Sequence, residues 1–114
     1  MGLDMDFYAV PKDEDPKECE HKIHIKYFRK HSDLHGWLRN YWHSEKAFNC
    51  VFLQITAEIL EDLKKYLRRK NKTRYEGFFW GQSTKEQWDE TKALVKEIEE
   101  WAKDGYDVYY YSWW

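Results

Sequence analysis

The chain has 114 residues, with 19 basic and 21 acidic side chains and a formal net charge of −2. That length supports one core, so a single globular domain over 1–114 is expected. The near balance of charge excludes general binding to a phosphate backbone and equally an acidic mimic of DNA. No apolar run reaches the ~20 residues that span a bilayer. Aromatic residues make up 19% of the chain and all hydrophobic residues 42%, so nearly half of the apolar material is rings.

In chain order, Leu3, Met5, Phe7 and Ala9 alternate with Asp4, Asp6 and Tyr8, the period of a half-buried strand. An acidic stretch with two prolines follows over 11–20 and reads as a solvated loop. Ile23, Ile25 and Tyr27 alternate with Lys22, His24 and Lys26, which predicts a second strand whose lysines place it near an edge. From Phe28 to His43 the period changes. Leu34, Trp37, Leu38, Tyr41 and Trp42 fall on one helical stripe, with Ser32 or Asp33 as cap and Gly36 inside it.

Cys50 to Ile55 is apolar except for Gln54, which predicts a strand covered on both faces. Thr56 then caps a helix whose buried stripe is Ile59, Leu60, Leu63, Tyr66 and Leu67, running to about Lys70 with Asn71 at its end. Ser83 to Glu86 reads as a capping box opening a third helix with Trp88, Thr91, Leu94, Val95, Ile98, Trp101 and Ala102 inward and Gly105 as its left-handed stop. Tyr106 to Trp114 closes as an aromatic strand. Its two faces both carry rings, which fits an internal strand, or one face packed and the other lining a cleft. The sum is an α+β fold: a small, mainly antiparallel sheet of about four strands with three helices packed on it.

The two cysteines, Cys19 and Cys50, are too few for a disulfide scaffold, and no basic-then-apolar leader opens the sequence. A cytoplasmic location is therefore expected. Cys50 is expected to pack as a small buried hydrophobe, and Cys19 to sit in the acidic loop.

Four constellations are candidates for chemistry. The run Gly77-Phe78-Phe79-Trp80-Gly81 places three consecutive rings between glycines, and they cannot all enter one core, so at least one is expected at a contact surface. His31 and His35 stand four residues apart, near Trp37. Without a C-x-x-C or H-E-x-x-H pattern they are read as binding residues rather than metal ligands, and no cofactor is expected. Asp4 and Asp6 share a strand face and could pair with His35 for acid–base work. Arg68, Arg69, Lys70, Lys72 and Arg74 form a basic cluster. No phosphate loop, nucleophile elbow or dinucleotide fingerprint appears.

Several segments resemble a family of small phage and bacterial proteins, some labelled as a glycolytic kinase. They are the opening Met1-Gly2-Leu3-Asp4-Met5, Tyr27-Phe28-Arg29-Lys30 leading into Leu34-His35-Gly36-Trp37, the Gly77–Gly81 run, and Asp107-Val108-Tyr109-Tyr110-Tyr111-Ser112-Trp113-Trp114. Where that family tends to have Tyr after the opening Met, this chain has Asp6. The resemblance implies a cytoplasmic, phage-borne protein and implies no reaction, since the length and phosphate loops of such a kinase are missing. The resulting expectation is a non-catalytic protein that binds a host protein through Arg29, His31, His35, Trp37, Gly77, Phe78, Phe79 and Trp80. Two rivals remain: a module holding a small planar ligand such as a nucleotide, and a small enzyme using His35 with Asp4 or Asp6. Trp113 and Trp114 make a homodimer a further expectation.

Overall fold

The structure, a computed structural model, describes residues 2–69 and 83–114. Seven elements follow in order: β1 (Asp4–Pro11), β2 (Ile23–Arg29), α1 (Ser32–Arg39), β3 (Phe52–Gln54), α2 (Ala57–Leu67), α3 (Lys85–Lys103) and β4 (Tyr106–Trp113). The four strands form one antiparallel sheet in the order β2-β1-β4-β3, so the first and last strands are its centre. This is the α+β architecture that the periodicities predict.

β1 alternates as its sequence dictates. Met5, Phe7 and Ala9 are buried, while Asp4, Asp6 and Tyr8 turn to the other side. β4 repeats the pattern with Val108, Tyr110 and Ser112 buried. The buried side joins Phe28, Leu53 and the inward residues of the helices in one core: Leu34 and Leu38 of α1, Ile59, Leu60 and Leu63 of α2, and Leu94, Val95 and Ile98 of α3.

Both edges differ from expectation. In β2 the inward residue is Phe28, whereas Tyr27 is exposed, because the register shifts opposite Phe7 and Tyr8 and inserts Ile25 as an extra residue. One such shift reverses which side chains face the core. β3 has only three residues and lies at the other edge, with Gln54 exposed and Phe52 half-buried, so it is not covered on both faces.

α1 is shorter than its stripe predicts. It ends at Arg39, and Tyr41 and Trp42 pack from the turn beyond. Every residue from Ser32 to Leu38 is buried, Gly36 included, so this helix has no solvent face along that stretch. α2 begins at the predicted cap, where Thr56 Oγ1 accepts from the Ile59 amide at 3.2 Å; Lys70 and Asn71 lie outside the described residues.

The capping box of α3 is displaced by one residue. Thr84 accepts from the Gln87 amide at 3.1 Å, and Gln87 Oε1 accepts from the Thr84 amide at 2.9 Å. Ser83 is thereby released to bond elsewhere. Thr84→Ala is expected to lower the unfolding free energy by about 1 kcal/mol; urea titration checks this, and no change would mean the box holds nothing. Gly105, at φ +87°, supplies the predicted left-handed stop, a backbone region where a Cβ is strained.

Cys50 departs from the burial expected for it, and Cys19, in the acidic loop as expected, is the buried thiol. Cys50 is exposed, in a left-handed conformation at φ 59°. The Cys50 amide donates to the Ser112 carbonyl at 2.7 Å, which ties this turn to β4, and its thiol donates to Asn49 Oδ1 at 3.6 Å. Among the described residues no helix is long and apolar enough to cross a membrane.

Candidate functional site

The eight residues expected at a recognition surface divide three ways. Arg29 is exposed at the end of β2, opposite Asp4 of β1. Gly77, Phe78, Phe79 and Trp80 lie outside the described residues, as do Lys70, Lys72 and Arg74 of the basic cluster. His31, His35 and Trp37 are in the core, at 0%, 0% and 8% exposure, and so rim no solvent-facing surface.

Burial gives the two histidines a structural chemistry. The Thr91 hydroxyl donates to the Gln87 carbonyl at 2.7 Å, so it accepts from His31 Nε2 at 2.8 Å. The Ser83 hydroxyl accepts from the Asp33 amide at 2.9 Å, which leaves its proton for His31 Nδ1 at 2.6 Å. His31 is thus a neutral imidazole with one nitrogen donating and the other accepting. Desolvation lowers its pKa to about 3. His35 Nδ1 bonds the Tyr110 hydroxyl at 2.6 Å, and burial, followed by the charge of Arg39, lowers its pKa to about 3 as well.

Rings connect these groups. Trp37 stacks on Tyr66 at 5.5 Å, Tyr66 meets Trp88 at 5.8 Å, and Trp88 meets His31 edge-on at 4.6 Å. Tyr110 lies 5.0 Å from Phe7 and 5.8 Å from Phe48. Much of the aromatic excess is absorbed in this way. Among the described residues a second group of rings is on the opposite side of the sheet.

Among the described residues no helix crosses that opposite side, since α1, α2 and α3 all pack into the core on the other. Cross-strand pairing brings Tyr27 and His24 of β2, Asp4, Asp6 and Tyr8 of β1, Tyr109, Tyr111 and Trp113 of β4, and Phe52 of β3 onto one face. Asp6 Oδ1 pairs with His24 Nε2 at 2.8 Å, and the Tyr27 hydroxyl donates to Asp4. The Tyr8 ring is 5.3 Å from His24 and 6.2 Å from Phe52, and Phe52 is 4.7 Å from Tyr111 and 6.3 Å from Tyr109. Tyr27 and Trp113 are exposed, at 46% and 51%.

The phenols of this face are neutral donors. Burial, then the charge of Asp6, raises the pKa of Tyr8; the bond to Asp4 raises that of Tyr27. Burial, then Asp107, raises Tyr109, and burial followed by contact with Cys50 raises Tyr111. Hydroxyls on flat rings beside carboxylates recognise by stacking and hydrogen bonding.

The arrangement gives no acid–base dyad with His35. That residue bonds Tyr110 on the helix side, whereas Asp4 and Asp6 are engaged by Tyr27 and His24 across the sheet. Among the described residues no group of three or more His, Cys, Asp or Glu side chains is placed to hold a metal ion. Alternation in β1 and β4 already separated Tyr109, Tyr111 and Trp113 from the core. What periodicity lacked was the pairing that sets Tyr8, Tyr27 and Phe52 beside them.

No family model, curated protein or solved structure matches this chain.

Proposed function

We propose that this is a non-enzymatic cytoplasmic binding protein whose uncovered sheet face recognises another protein, a host component in the phage setting that the sequence resemblance implies. The supporting observation is the clustering of Tyr8, Tyr27, Phe52, Tyr109, Tyr111 and Trp113 on the side that none of the described helices covers. Strand spacing and rise give four strands of up to eight residues a face of about 14 × 26 Å. That is more than one small ligand covers, and roughly half of the ~800 Å² each partner contributes to a standard interface. The rim and the 11–20 loop supply the remainder. Tyr and Trp are the residue types that anchor such contacts, and Arg29 at the border adds a third.

A Tyr27→Ser/Trp113→Ser double variant tests this reading. Both side chains are about half exposed, so the fold is retained. Against lysate of the host, the variant is expected to capture its partner about 30-fold more weakly than the wild type. A control substitution on the helical side, Glu86→Gln, leaves capture unchanged. Equal capture by all three proteins removes the sheet face as the recognition surface.

A further inference from the structure

One end of the uncovered face is concave. A cleft of about 390 Å³ is lined there by Tyr8, Lys17, Lys22, Cys50, Phe52 and Tyr111. Its walls are rings: Phe52 lies 4.7 Å from Tyr111 and 6.2 Å from Tyr8. Its lining carries two ammonium groups, Lys17 and Lys22, and no carboxylate. Lys22 Nζ stands 5.8 Å from the centre of the Tyr8 ring and donates to the Cys19 carbonyl at 3.2 Å. Neither Lys17 nor Lys22 forms an ion pair with a carboxylate among the described residues. Asp6, whose charge reaches Tyr8 and Tyr111, pairs with His24, and Asp15 accepts from the Lys17 amide at 2.9 Å.

We infer that this cleft binds a planar ring bearing an anionic group, with the ring against Tyr8, Phe52 and Tyr111 and the anion between Lys17 and Lys22. This rests on the reading of the surrounding face as the recognition surface, and it names the chemistry that the face's concave end selects. The volume is at the lower end of the ~300–1,000 Å³ usual for small-molecule sites. Flat aromatic walls accept any π-face, and two ammonium groups free of carboxylates favour phosphate or carboxylate. Such a group has two sources: a free nucleotide, or an anionic aryl side chain on the protein partner.

Cys50 provides the readout, since it is an exposed residue lining the cleft while Cys19 is buried. Alkylation of Cys50 by iodoacetamide, followed by mass spectrometry, is measured with phenyl phosphate, AMP, adenosine and inorganic phosphate as probes. Phenyl phosphate or AMP at millimolar concentration is expected to slow alkylation about 10-fold, with adenosine and inorganic phosphate far less effective. A stronger effect of AMP identifies the free nucleotide as source, and a stronger effect of phenyl phosphate the aryl side chain. Lys17→Gln/Lys22→Gln and, separately, Phe52→Ala are expected to abolish the protection, each rate being compared with the same variant's unliganded rate. Tyr27→Ser/Trp113→Ser retains protection while losing the protein partner, which separates the two readings. Absence of protection by every probe, or equal protection by inorganic phosphate alone, overturns the inference.

Discussion

Acidification from pH 6 to pH 4 is expected to remove on the order of 5 kcal/mol of folding free energy, a large share of the 5–15 kcal/mol that holds a domain together. His31 and His35 cause it. Each takes up a proton near pH 6.5 when unfolded but only near pH 3 when folded, because burial penalises the imidazolium. Protons therefore bind the unfolded chain preferentially throughout that window. The contribution of each histidine is complete above about pH 6.5 and is lost, at up to about 1.4 kcal/mol per pH unit, as the pH falls toward 3. Urea unfolding at half-unit pH steps measures the slope. His31→Gln and His35→Gln each keep a polar group without the titration, and each is expected to halve the slope. A urea midpoint that stays constant between pH 7 and pH 5 would falsify this account.

The second large effect concerns Tyr110, which has no exposed surface and touches Phe7, Phe48 and His35. Tyr110→Ala leaves a ring-sized void at the centre of the sheet and is expected to cost about 3–5 kcal/mol. Tyr110→Phe keeps the ring and deletes only the hydroxyl that bonds His35 Nδ1, at a cost of about 1–2 kcal/mol. The ratio of the two separates packing from hydrogen bonding. A loss below about 1 kcal/mol for the alanine variant would mean that the rings around Tyr110 close the void without it.

The order of elements was legible in the sequence because it is written in local periods. Alternation marked β1 and β4, and the 3.6-residue stripe with its caps marked α2 and α3. The failures occur where non-local pairing decides. A register shift around Ile25 turned Phe28 inward and Tyr27 outward, and no local pattern announces such an insertion. His31, His35 and Trp37 are polar or amphipathic on a short helix, which resembles an exposed stripe until the partners are known. Those partners, Ser83, Thr91, Tyr110 and Tyr66, lie between 29 and 75 positions away. Of the rings expected at a surface, Phe78, Phe79 and Trp80 lie outside the described residues and Trp37 is buried, whereas among the described residues Tyr27 and Trp113 on the strands are exposed.

The pairing of β1 with β4 runs from Asp4 opposite Trp113 to Pro11 opposite Tyr106. The middle of the sheet is thus made from segments about a hundred positions apart. A nascent chain emerging from the ribosome holds β1 and β2 as an unsupported hairpin until the last strand is translated. Folding is then a late, all-at-once event, slowed by closing so long a loop. A ribosome that stops even ten codons short of Trp113 releases a product without the strand that joins the two halves of the sheet, one suited to proteolysis rather than to partial activity.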